Sequence, residues 1–269
     1  MRTPGRTIHV LAIVALLLMT GCAGNHGRSG SERTYSVAST FDATRMLPPP
    51  PTDEAAVARD LEGVRAAQRA RTPEQAAQAE ATSTVDVFLF ASVLGPRFTP
   101  ERVPKTAAFL QRVFVSSLPY LQATKNCWNR LRPFVVDPTL APLARSLAST
   151  QTRSAPTPLA ASSLPSDSPC TASVADATHA PSYPSGHAAV GAMMAILLAE
   201  IVPERRPQLF EFGWQYGDAR VVSGVHFPSD VEAGRILGTM LIEMMQQDAQ
   251  FRADLGVARK ELRGVLGLE

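Results

Sequence analysis

The sequence predicts an all-α fold. Three observations carry this: apolar residues recur at helical spacing through most of the chain after residue 52, strand-like alternation is nearly absent, and prolines rather than strand turns break the periodic stretches. With 269 residues, 45% of them apolar, and mean hydropathy near zero, the chain has the composition of a globular protein and can bury a sizeable core. No internal repeat is visible.

The elements follow in chain order. Arg2 and Arg6 precede an apolar run over residues 8–19, too short to span a ~30 Å hydrocarbon core, so residues 1–21 read as a signal peptide. Met19-Thr20-Gly21-Cys22 resembles the lipobox of bacterial lipoproteins, which makes Cys22 the expected lipidated N-terminus. Residues 22–52 are rich in Gly and Ser and end in Pro48 to Pro51, the composition of a flexible tether closing in a stiff spacer, so the folded domain is expected over 53–269. Residues 52–81 read as one helix with a mostly solvated face and a packing role. Residues 85–94 and 103–129 read as short helices broken at Pro96, Pro100, Pro104 and Pro119, with another short helix over 138–148. Residues 149–183 read as a long irregular loop, of the length that is usually functional or mobile. After it come an apolar helix over 187–202, buried all round, a second over 206–222, an amphipathic third over 230–247 and a last from Asp248.

Charge narrows the partners. Residues 1–21 hold two arginines and no acid, which leaves 24 basic and 24 acidic residues in the rest. A neutral chain lacks the electrostatic footprint of a nucleic-acid binder or of a protein that adheres to anionic lipid, so contact with a membrane is expected through the lipid anchor alone. The expected location is the periplasmic side of a bacterial membrane, the outer membrane in particular. With Cys22 set aside, Cys127 and Cys170 form an even pair in an oxidising compartment; a disulfide and two buried free thiols are the alternatives.

Only His179, His187 and His226 lie in the body of the chain, and no CxxC or HExxH spacing accompanies them, so neither a metal nor a cofactor is expected. Three segments stand out. In the first, Lys125 and Arg132 lie seven apart and project from one face if helical, with Pro133 next. In the second, Pro184-Ser185-Gly186-His187 runs into the apolar helix and places Ser185 and Gly186 at its N-terminus, where N–H groups and the macrodipole favour an anion. In the third, Arg220 and His226 are followed by Asp230, and an Asp beside a His orients the ring, holding Nδ1–H and leaving Nε2 as nucleophile or base.

Together these segments read K-x6-R-P, P-S-G-H and R-x5-H-x3-D. The pattern resembles the phosphatidic acid phosphatase type 2 superfamily, and Tyr183 before Pro184 is similar to its bacterial class A nonspecific acid phosphatases. The resemblance implies a single bundle of stacked helices and a metal-independent phosphomonoesterase. It implies His226 as nucleophile forming a phosphohistidine, His187 as the acid that protonates the leaving alkoxide and then activates water, and Asp230 as the group that orients His226. Lys125, Arg132, Ser185, Gly186 and Arg220 are implied in binding phosphate. His179 matches no motif. The sequence departs from the family at Ala219, where the third motif carries Ser. A vanadium-dependent haloperoxidase, whose site uses the same residues to bind vanadate, and a non-catalytic phosphate-binding lipoprotein are the alternative readings. Residue types alone support the chemistry: phosphoryl transfer spreads negative charge over three oxygens, which without a metal must meet cations and N–H donors, and the planar fork of Arg binds two such oxygens at once. A small phosphorylated substrate, a lipid phosphate included, is the expected partner.

Overall fold

Glycine and alanine let three helices pack backbone to backbone at the centre of the molecule. The computed structural model describes residues 34–151, 170 and 180–268. The expected signal peptide, Cys22 and His179 lie outside the described residues. Those described contain helices and no strand. In chain order the helices are α1 (Ala43–Met46), α2 (Glu54–Ala70), α3 (Pro73–Ala81), α4 (Ala91–Leu94), α5 (Pro104–Trp128), α6 (Pro133–Val136), α7 (Ala144–Gln151), α8 (Gly186–Ile201), α9 (Arg206–Val222), α10 (Pro228–Met245) and α11 (Ala249–Leu266).

The central helix α8 is apolar all round, as expected, and is buried along nearly its whole length. Met193, Met194, Leu197, Leu198 and Ile201 are all fully buried, each contributing roughly 1.5–3 kcal/mol of transfer free energy. α9 and α10 pack on α8, and α5 pairs with α11. The α8–α9 contact depends on Gly191 and Gly213: a Cβ on Gly191 would lie 2.5 Å from the Gly213 carbonyl oxygen, and one on Gly213 would lie 2.6 Å from that of Gly191. On α10, a Cβ at Gly234 would strike the Ser185 carbonyl, so the same close packing fixes where the start of α8 sits.

The structure corrects three expectations about the elements. The helix expected over 52–81 is two, because Pro73 disfavours helical backbone at Thr72 and the Thr72–Gln75 capping box starts α3 afresh. Pro119 does not break α5, which runs for 25 residues. Pro119 lies on the exposed face, where water can serve the carbonyl it deprives of a partner, while Phe109, Leu110 and Val113 before it and Leu121 after it are anchored in the core. Finally, residues 34–52 are not a loose tether. Tyr35 is buried against Phe109 and Phe251, its amide donates to Ser116 Oγ (2.9 Å) and its hydroxyl to Asp254 (2.7 Å), and Leu47 also enters the core. The folded body therefore includes Tyr35; aromatic and aliphatic anchors spaced through a Ser/Thr-rich stretch escaped the compositional reading.

Asp248 ties this N-terminal segment to α11. Its carboxylate caps the helix at the amides of Gln250 and Phe251 and also accepts from the amide and hydroxyl of Ser36. The Ser36 hydrogen bonds hold the carboxyl down at about 2, against an ordinary Asp value near 3.9. A depressed folded pKa stabilises the fold above the unfolded value and loses that contribution as pH falls through the folded one. Asp248→Ala is therefore expected to cost about 1–2 kcal/mol at neutral pH, with the deficit against wild type shrinking between about pH 4 and pH 2, read from denaturant midpoints across pH.

Candidate active site

The first motif straddles a helix end. Asn129 takes a left-handed conformation (φ 42°) and closes α5, so Lys125 stands on the last turn while Arg132 lies beyond the helix, as the cap of α6. The two cations do meet, but not by sharing a helical face: the chain turns back at Asn129, which tolerates this conformation better than most residues. Lys125 Nζ donates to the carbonyls of Pro181 (2.8 Å) and Pro184 (2.7 Å). Arg132 donates from Nε to Ala180 (2.7 Å) and from Nη1 to Val225 (2.6 Å). Both are buried, and their heads are set by the carbonyls of residues 180–184, a segment that contains a cis Tyr183-Pro184 peptide bond.

The second motif starts α8. Ser185 is its N-cap, and its Oγ accepts from the Ala188 amide. Tyr183 is buried edge-on to Trp128 and donates its hydroxyl to the Pro48 carbonyl; burial, then the negative charge of Asp230, pushes this phenol far up, so it stays protonated. His187 Nε2 lies 3.1 Å from the Ser83 carbonyl. A carbonyl only accepts, so Nε2 carries hydrogen.

The third motif joins α9 to α10. Arg220, 1% exposed, donates to Ser146 Oγ (3.2 Å) and Ser149 Oγ (3.4 Å) on α7. His226 is held from two sides, with Arg132 Nη1 3.2 Å from its Nε2 and Asp230 Oδ2 3.3 Å from its Nδ1. Arg can only donate and a carboxylate can only accept, so Nδ1 bears the hydrogen and Nε2 presents its lone pair. Asp230 is itself fully buried: Oδ2 also accepts from the Phe227 amide and Ser182 Oγ, and Oδ1 from Arg130 Nη1 (2.7 Å).

These segments converge on one cavity of about 10 Å³, lined by Lys125, Arg132, Gly186, His187, Arg220 and His226 together with Ser149 and Thr150. His187 and Ser149 also line an open pocket of about 490 Å³ with Ser83, Thr84, Val85, Arg145 and Ala148. Ser185 and Asp230 stand behind the cavity wall, the first as helix cap and the second behind His226. Among the described residues, three cations and two histidines thus face one small space that no carboxylate lines, an arrangement that attracts an oxyanion. Among the described residues, no group of three or more His, Cys, Asp or Glu side chains could hold a metal ion, and no helix is long and apolar enough to cross a membrane.

A model of the PAP2 superfamily matches residues 106–253, which include all three motifs. The chain belongs to this superfamily. It is 30% identical over 234 residues to a non-specific acid phosphatase of Salmonella typhimurium, covering 85% of this chain and 83% of that one. It is 28% identical over 270 residues to an acid phosphatase of Zymomonas mobilis, covering 96% and 90%. Among solved structures it resembles a transmembrane PAP2-type phosphatidylglycerolphosphate phosphatase from Bacillus subtilis at 19% identity, TM-score 0.45, covering 72% of this chain and 86% of that one.

Sequence reasoning missed Ser146, Ser149 and Thr150, which sit in Ser/Thr-rich sequence with no distinguishing spacing. It also missed Arg130 and Asp60, described below. At Ala219 the motif hydroxyl is absent; Ser223, one turn later, donates to the Ala219 carbonyl and accepts from Ser146 Oγ, so hydroxyls from α7 and from the end of α9 surround Arg220. Cys127, two residues after Lys125, is bridged to Cys170 across a sequence separation of 43, and the bridge fastens the end of α5 to the chain that leads into the second motif. A tryptic map of the unreduced protein should show the Cys127 and Cys170 peptides linked, and reduction should lower stability by up to about 4 kcal/mol on the chain-entropy model. Recovery of both peptides alkylated without reduction would contradict the bridge.

Proposed function

We propose that this protein is an acid phosphatase that hydrolyses phosphate monoesters without a metal, through a phosphohistidine on His226. The observation that carries the reading is His226 Nε2, its lone pair accepting from Arg132 Nη1 (3.2 Å), in a cavity lined by two further cations and by His187. The acid phosphatases similar to it over most of their length support the activity, and the side-chain cations that would meet the phosphoryl charge support independence from metal.

On this reading the cavity, which has room for about one water, widens as a phosphoryl group enters, and the phosphoryl oxygens take over donors that Lys125, Arg132 and Arg220 now direct at carbonyls and hydroxyls. Nε2 attacks phosphorus in line, forming the N–P bond as the P–O bond to the leaving group breaks. Asp230 accepts from Nδ1–H and stabilises the positive charge that the ring acquires. Protonated His187 gives a proton to the leaving oxygen, and the alcohol departs through the open pocket that His187 lines. The neutral His187 then takes a proton from water, whose oxygen attacks phosphorus and frees His226. Small phosphorylated molecules and lipid phosphates both satisfy this chemistry. The leader would direct the enzyme to export, and after its removal the lipid on Cys22 would hold the enzyme on the periplasmic face of a bacterial membrane.

Vanadate, which takes up the bipyramidal geometry of the transition state, should inhibit, while a chelator should leave activity intact; loss in chelator with recovery on adding a divalent ion would sink the metal-free route. Quenched labelling should trap an acid-labile, alkali-stable phosphoenzyme that His226→Ala lacks. His187→Ala should slow alkyl esters by ~10² to 10⁴ and aryl esters less, because a phenolate leaves without help. Label that survives acid, or persists in His226→Ala, would overturn the nucleophile.

A further inference from the structure

Asp230 is gripped from behind by a charge relay that starts outside the three motifs. Asp60 stands on α2, ahead of residues 106–253, on a helix whose sequence suggests only packing. Its Oδ2 accepts from Arg130 Nη2 (2.7 Å) and from Ser229 Oγ, and its Oδ1 from the Ser229 amide (3.0 Å). Arg130 Nη1 donates onward to Asp230 Oδ1 (2.7 Å) and to Ser229 Oγ (2.8 Å), and its guanidinium lies 3.9 Å over the ring of Phe227, the residue next to His226. Asp60 and Asp230 are buried and Arg130 is nearly so, so these charges act on one another through little water.

We propose that Asp60 and Arg130 are positioning residues for catalysis, forming a relay Asp60–Arg130–Asp230–His226 that sets both the tautomer and the proton affinity of the nucleophile. The proposal rests on the reading of His226 as nucleophile. Arg130 occupies Asp230 Oδ1 and so turns Oδ2 toward His226 Nδ1. A lone cation there would draw down the negative charge that Asp230 lends to the ring; Asp60 offsets that cation and returns the charge. Among the described residues, the other charged groups facing His226 are Arg132, beyond α5, and, around the cavity, Lys125 on α5, His187 on α8 and Arg220 on α9. None of these changes in the variants below.

Charge gives the relay a signature that packing lacks. His226 attacks only when Nε2 is unprotonated, so its protonation shapes the acidic limb of kcat/KM. Asp60→Asn removes a negative charge and keeps the shape, which should move that limb to lower pH. Arg130→Gln removes a positive charge and should move it to higher pH, each by about half a unit or more, and the double variant should return toward wild type. Ionisation of the substrate phosphate is common to all the profiles and cancels in the comparison. The experiment is kcat/KM against pH with an aryl phosphate for the four proteins, their folding checked by circular dichroism, together with trapping of the phosphoenzyme in wild type. Shifts in the same direction, or unmoved limbs with lowered kcat, would reduce the pair to a scaffold and overturn the relay. If a variant does not fold, the imidazole ¹⁵N spectrum of wild type decides: neutral His226 should carry hydrogen on Nδ1, and an Nε2–H tautomer would overturn the proposal. Absence of a wild-type phosphoenzyme would remove the nucleophile and the relay with it, whereas a trapped phosphoenzyme with unmoved limbs would refute the relay alone.

Discussion

Three buried cations held around one small cavity decide how the segments around them must fold. Lys125, Arg132 and Arg220 would be costly to bury unless polar groups met their hydrogens. Backbone carbonyls of residues 180–184 and Val225 meet the first two, and hydroxyls from α7 meet the third. These are neutral acceptors. They hold the cations in place without cancelling their charge, so the cavity keeps its attraction for an anion, whereas a carboxylate in the same position would have competed with it.

Precision in that cavity comes from rigidity around it. The backbones of α8 and α9 touch at Gly191 and Gly213, Gly234 on α10 abuts the Ser185 carbonyl, and the Ser185 amide donates to the Asp230 carbonyl (2.8 Å). The start of α8, which carries His187, and the start of α10, which carries Asp230, are thereby fixed to each other. The Cys127–Cys170 bridge adds a covalent restraint near Lys125. The N-terminal segment contributes as well, since the Pro48 carbonyl receives the Tyr183 hydroxyl next to the second motif.

What was legible in the sequence follows a physical division. The apolar character of α8 predicted its burial, and the three motifs predicted most of the cavity, because a helix start and a His–Asp spacing of four are local geometry. Arg132 meets Lys125 by a route other than the expected shared helical face: a left-handed residue at 129 turns the chain back. Asp60, Ser146 and Ser149 were invisible because each acts through contacts 70 or more residues away along the chain, in stretches of ordinary helical or Ser-rich composition. Residues 34–52 were misjudged because composition averages over Tyr35 and Leu47, the side chains that anchor them.

Calorimetric titration of inorganic phosphate asks of the protein itself whether its cavity of cations binds an oxyanion. Wild type should bind one phosphate per chain, and Arg132→Met and Arg220→Met, shown to be folded, should each weaken that binding by tenfold or more. Absence of saturable binding, or affinity unchanged in both variants, would contradict the account.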